Sequence, residues 1–154
     1  MLGREHAIGH PALTDEPSGL ANRLHFELVY SYLFAGADRG VPLTLLILSV
    51  PLPGPEGMRA LSERLQDITR ASDLVAHLGS GRFAVLLLGS NISGGRIAAD
   101  RMEEAVRDVA DGPVCIGVAS YDPDMKESSE LLEAADSALR VAEEAGGGVE
   151  MAGS

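Results

Sequence analysis

The run Leu43-Thr44-Leu45-Leu46-Ile47-Leu48-Ser49-Val50 leaves few folds open. It lacks the polar alternation of a half-solvated strand, so it suits a strand buried on both faces. Pro51-Leu52-Pro53-Gly54-Pro55-Glu56-Gly57 closes it as a rigid turn. V-C-I-G-V-A-S-Y (114–121) is a second strand of the same kind. Each needs covering elements, and helical spacing flanks both. Leu24, Leu28 and the set Phe26, Val29, Tyr30, Leu33 recur at three- and four-residue intervals until Gly36 and Gly40. Met58, Leu61, Leu65 and Ile68 mark a second helix. Ala98, Met102, Ala105 and Val109 mark a third, opened by Asn91-Ile92-Ser93 and stopped by Gly112-Pro113. Leu131, Leu132, Ala135, Ala138, Leu139 and Ala142 mark a fourth, ended by Gly146-Gly147-Gly148.

Residues 74–88, L-V-A-H-L-G-S-G-R-F-A-V-L-L-L, are two apolar runs around Gly79-Ser80-Gly81 and read as a hairpin. The order is therefore α-β-α-β-β-α-β-α. This is a ferredoxin-like βαββαβ core with a helix added at each end, and an α+β fold in which one sheet containing antiparallel strands is flanked by helices. The expected division is an irregular lead-in over 1–18, one domain over 19–149 and a frayed tail over 150–154.

Composition narrows function. The net charge of −11 argues against nucleic acid as a partner, because neutralising a phosphate backbone needs surplus Lys and Arg. A small anion held by a local Arg cluster stays open. The single cysteine, Cys115, rules out an intrachain disulfide and disfavours a cysteine zinc site. His6, His10, His25 and His77 show no metal spacing, so no metal is expected. The N-terminus lacks the apolar stretch of a signal peptide, and no run approaches a membrane span. A cytoplasmic protein without a membrane partner is the expectation.

Four words in order carry a resemblance. They are D-E-P-S-G-L-A-N-R (15–23), R-A-S-D-L-V-A-H-L-G-S-G-R-F (70–83), C-I-G-V-A (115–119) and A-D-S-A-L-R-V-A-E-E-A-G (135–146). The chain from about Asp15 to Val149 resembles the GGDEF domain, the nucleotide-cyclase-like fold of diguanylate cyclases, which condense two GTP molecules into cyclic di-GMP. The departures are as informative as the matches. Where the family has G-G-D-E-F, this chain has Gly79, Ser80, Gly81, Arg82 and Phe83. The acids that hold metal and activate the attacking hydroxyl in the family are gone. A guanidinium neither ligates Mg²⁺ nor accepts a proton at neutral pH. The family's metal aspartate falls on Ser49, and its guanine-reading region is replaced by V-P-L-P-G-P-E. Its late lysine falls on Glu143, a charge reversal, and a later Arg falls on Gly147. The resemblance thus implies a degenerate domain with no catalytic residues, not an enzyme, and no cofactor.

The family's regulatory site for its product is an R-x-x-D ahead of the signature, joined by an arginine from the helix after the hairpin. Here Arg70-Ala71-Ser72-Asp73 and Arg101 stand in register with it. The resemblance implies cyclic di-GMP as ligand, with Arg70 and Arg101 on phosphate and guanine and Asp73 on a guanine edge. Ser72 and His77 are further contacts, His77 standing where members often carry another Arg. The chemistry fits: an Arg fork pairs with guanine O6 and N7 or with phosphate, and a carboxylate accepts from guanine N–H groups. In the family such a site bridges two domains, so a ligand-linked homodimer or a partner signalling protein is expected. The residues alone leave two plainer readings open. Arg70 and Asp73 can be a local ion pair at a helix end, and Arg101 a solvated helix residue. A pseudoenzyme acting as a protein-interaction module without nucleotide is the rival function. Arg82 reads as an exposed hairpin residue paired with an acid.

Overall fold

The computed structural model describes residues 13–15, 18–52 and 54–153. His6, His10 and most of the expected lead-in lie outside the described residues, as do Pro53 and Ser154. Helix α1 (Arg23–Ala37) starts at Asn22, whose side chain accepts from the His25 N–H at 2.9 Å. Strand β1 (Leu43–Ser49), helix α2 (Pro55–Ile68), strands β2 (Leu74–Gly79) and β3 (Arg82–Leu88), helix α3 (Ile92–Val106), strand β4 (Cys115–Ser120) and helix α4 (Ser128–Glu144) follow in the expected order. A further strand, β5 (Gly148–Met151), makes nine elements among the described residues.

The sheet order is β2-β3-β1-β4-β5. Strand β1 lies antiparallel to both β3 and β4, β2 lies antiparallel to β3, and β5 runs parallel to β4. Two cores result. On one face Leu46, Leu48, Phe83 and Val85 meet Leu61 and Leu65 of α2 and Met102 and Val106 of α3. On the other, Leu45, Ile47, Ala84 and Leu86 meet Phe26 and Tyr30 of α1 and Leu131, Ala135 and Leu139 of α4. The doubly apolar β1 run is thus buried on both sides, as its sequence requires. Thr44, its buried polar residue, donates to the Ser90 carbonyl at 2.7 Å and meets the Ser120 hydroxyl at 2.5 Å. Among the described residues no helix is long and apolar enough to cross a membrane.

Two expectations change. Leu24 and Leu28 are 49% and 58% exposed, whereas Phe26 and Tyr30 are buried. Leu24 and Phe26, like Leu28 and Tyr30, are two positions apart and so about 200° apart around the helix, and both sets cannot face one sheet; the aromatic set wins, stacked at 5.4 Å, with the Tyr30 hydroxyl donating to the Ser128 carbonyl of α4. The tail is also ordered into the sheet. Gly146 and Gly147 take φ of +87° and +135°, which turns the chain back sharply after α4. Gly148 N–H then donates to the Val114 carbonyl at 2.9 Å and Ala152 N–H to Val118 at 2.7 Å, and Val149 and Met151 pack on the core.

Gly117 fixes the distance between α4 and β4. A β-carbon there falls inside contact distance of the Ala135 carbonyl and the Leu139 nitrogen, and 2.8 Å from Leu139 Cα, all backbone atoms that cannot step aside singly. Gly117→Ala should therefore destabilise by about 3 kcal/mol in urea unfolding, an overpacking cost. Gly36→Ala, in open space near the end of α1, should instead stabilise by about 0.5 kcal/mol.

Candidate functional site

Helix α2 stops where Thr69 turns extended, its hydroxyl donating back to the Leu65 carbonyl at 3.0 Å. The next residues form a turn closed by Asp73 N–H on the Arg70 carbonyl at 2.9 Å. The Asp73 carboxylate accepts the Arg70 N–H at 2.9 Å and the Leu88 N–H at 3.3 Å, tying the start of β2 to the end of β3. It also accepts from the Arg70 guanidinium at 3.3 and 3.4 Å. Arg70 Nη2 reaches further, to the Leu88 carbonyl at 2.9 Å and the Ser90 hydroxyl at 3.2 Å. The pair is unequal: the Asp73 side chain is 3% exposed and that of Arg70 is 59% exposed. The carboxylate is occupied inside the fold, and the cation it aims stays open to solvent.

The other expected contacts separate from this turn. Ser72 is exposed within it. Arg101 is exposed on the neighbouring helix α3 and makes no hydrogen bond or ion pair among the described residues. His77 differs most from expectation. Its ring stacks on Phe83 at 4.8 Å and is only 10% exposed, Nδ1 meets Asp15 at 2.9 Å, and Nε2 is buried without a partner. It sits toward the far end of β2 from Arg70, cross-strand from Phe83, because alternation on the strand turns it into the α2–α3 core. A cleft of about 520 Å³ opens beside Arg70 and Asp73, walled also by His25, Gln66 and Thr69. Gln66 and Thr69 precede Arg70 closely, but only the fold brings in His25.

At the opposite end of β3 the hairpin turns on Ser80 and Gly81, with φ of +53° and +74°. A two-residue hairpin loop of this hand needs both residues left-handed, and a β-carbon on Gly81 would stand 3.0 Å from the Val50 carbonyl. Gly79 ends β2 beyond a register shift, so the glycines serve the turn. Phe83 is fully buried. Arg82 lies beside Ser49 across β1–β3, and Ser49 lies beside Cys115 across β1–β4. The Arg82 guanidinium pairs with Asp136 at 3.3 Å and Glu143 at 3.5 Å, and Arg140 holds the other oxygen of Asp136 at 3.0 Å. Positions 49, 82 and 143, remote in sequence, thus converge. A cavity of about 770 Å³ opens here, walled by Val50, Leu52, Met58, Pro113, Cys115 and Glu143 among others. Burial, then the charge of Glu143, pushes the Cys115 thiol up from its ordinary pKa. The divalent metal implied by the resemblance does not fit these groups: Ser49 and Arg82 offer a neutral hydroxyl and a cation where carboxylates are needed.

Residues 53–148 match the family model described as "Diguanylate cyclase, GGDEF domain". The probable diguanylate cyclase DgcC of Escherichia coli K12 is 29% identical over 151 residues, covering 86% of this chain. The chain spans 41% of the length of that relative. The fold superimposes on the GGDEF domain of DgcB from Caulobacter crescentus, solved in complex with c-di-GMP, with a TM-score of 0.81 at 22% identity, covering 94% of this chain and 98% of that one. It also matches the GGDEF domain of PA1120 (TpbB or YfiN) from Pseudomonas aeruginosa, with a TM-score of 0.77 at 26% identity, covering 90% and 94%.

Removing Asp73 takes a buried carboxylate from the Arg70 N–H and the half-buried Leu88 N–H, whereas removing Arg70 exposes an edge already wet. Asp73→Ala should cost about 2 kcal/mol in chemical unfolding, and Arg70→Ala no more than about 1 kcal/mol. Asp15 gives a pH signature. Burial raises its pKa, but hydrogen bonds from Ser18 and the contact with His77 outweigh that and hold it below the ordinary carboxylate value of 3.8. Its contribution is present in full above that unfolded value and is lost as pH falls through the lower folded value. Thermal melts of Asp15→Asn should lie below those of the parent at pH 7, with the gap closing as pH drops below 3.8.

Proposed function

The chain belongs to the GGDEF domain family, and from that premise we propose that it is a catalytically inactive member acting in the cytoplasm as a receptor for cyclic di-GMP through the Arg70–Asp73 turn. Support comes from the contrast between the two ends of β3. At one end Arg82 faces Glu143 and Asp136, so charges that need metal and triphosphate in a cyclase are satisfied within the chain. Phosphoryl transfer depends on cations free to neutralise phosphate. At the other end Arg70 keeps an exposed guanidinium, fixed at its base by Asp73, Leu88 and Ser90.

In this reading Arg70 and Arg101 receive phosphate and guanine, the planar fork suiting both. Asp73 is a positioning residue that aims Arg70, in place of the guanine-edge contact that the resemblance implies. The complex of the Caulobacter DgcB domain with c-di-GMP supports the ligand class. The ligand carries two phosphates and two guanines, and one turn engages only part of it. The remainder is available to a second copy or to a partner signalling protein, which links binding to dimerisation. The internal saturation of Asp73 is the observation that favours the rival reading, a protein-interaction module without nucleotide.

Calorimetric titration with cyclic di-GMP separates the two. Binding is expected at or below about tens of micromolar, with Arg70→Ala weakening it about tenfold. Asp73→Asn should weaken it less. GTP with Mg²⁺ should yield no product and leave the melting temperature unchanged. Absence of binding in that range, or equal binding by Arg70→Ala, overturns the receptor reading and leaves the interaction module; cyclic di-GMP synthesis overturns the inactive one.

A further inference from the structure

The cavity at the Ser49–Arg82 end of the sheet is not absorbed by a receptor function at Arg70. Its volume of about 770 Å³ lies within the usual range for sites that enclose a small organic molecule. The wall is unlike that of a nucleotide site. Val50, Leu52, Met58 and the prolines at 51, 55 and 113 supply an apolar lining. Among the described residues, Glu143 is the one charged side chain on it. Arg82 does not face the cavity as a free cation, because its guanidinium is drawn onto Asp136 and Glu143. Its bond to Glu143, at 3.5 Å, engages Oε2 alone, and the Glu143 side chain stays 34% exposed. Cys115 also lines the cavity, and the negative charge of Glu143 adds to burial in raising its thiol pKa.

Shape and charge together select the occupant. An anionic ligand meets Glu143 with no free cation to offset it, and also the long-range field of a chain carrying net charge −11. An apolar body packs over Val50 and removes the half-buried Leu52 and Met58 from water, and an ammonium group finds the second oxygen of Glu143. We infer that this cavity binds small apolar amines, the apolar body among Val50, Leu52 and Met58 and the ammonium on Glu143.

The test uses a matched pair of fluorescent probes on the full chain: dansylcadaverine, which ends in a primary amine, and dansyl-6-aminohexanoic acid, which ends in a carboxylate. The amine should bind with enhanced emission and at least about tenfold more tightly than the acid. Glu143→Gln should weaken the amine about fivefold, the scale of one partly exposed ion pair, and leave the acid no weaker. Cyclic di-GMP titrated in parallel reads the Arg70 site, so failure at one end is distinguished from failure at the other. Equal affinity for the two probes, or an unchanged amine affinity in Glu143→Gln, overturns the inference.

Discussion

One sheet divides two apolar cores, and β1 must satisfy both. Leu46 and Leu48 point into the α2–α3 layer, and Leu45 and Ile47 into the α1–α4 layer. Hydrogen bonding to β3 on one side and β4 on the other leaves no edge of this strand free. Its one fully buried polar side chain is Thr44, near the start of the strand, where a carbonyl and a hydroxyl are both within reach. Chemistry is therefore pushed to the ends of the strands, where the demand for double burial relaxes. Ser49, Arg82 and Cys115 gather at one end; Leu88, Ser90 and the Arg70–Asp73 turn gather at the other.

The two ends treat charge differently. Asp73 is drawn inside, where it bonds two backbone N–H groups, and this organises the loop while projecting Arg70 outward. Arg82 is folded back onto two acids of α4. In both places a carboxylate decides where a guanidinium lies. What differs is what holds the guanidinium: two carboxylates for Arg82, and one carboxylate with a carbonyl and a hydroxyl for Arg70.

Much of this was legible in the sequence, because the elements rest on local periodicity and the two doubly apolar runs. Eight elements follow from spacing and turn residues alone. Strand β5 escaped because a triplet of glycines signals an ending, and nothing local says that Val149 and Met151 will find β4 again. The exposure of Leu24 and Leu28 escaped because a helix whose stripe is too wide does not say which part meets the sheet. Residue-level chemistry was less legible still. The spacing of Arg70 and Asp73 fits a ligand pair and an ion pair alike, and the bond from Leu88 that buries Asp73 comes from another strand. His77 was misplaced because its stacking on Phe83 depends on cross-strand register. Arg82 was expected to find an acid, but not which one, since Glu143 lies 61 residues away.

The Arg82–Glu143 pair also couples two distant positions of the chain. Each residue is the opposite in sign of the one that the resemblance to cyclases places there, and each is compatible with the other. Changing Arg82 alone to an acid sets it against Glu143 and Asp136; changing Glu143 alone to lysine sets it against Arg82. Either single change sets like charges side by side beside a largely apolar cavity. The two positions therefore behave as one electrostatic unit: the sign of the charge carried by β3 constrains the sign that α4 tolerates, across 61 residues of sequence.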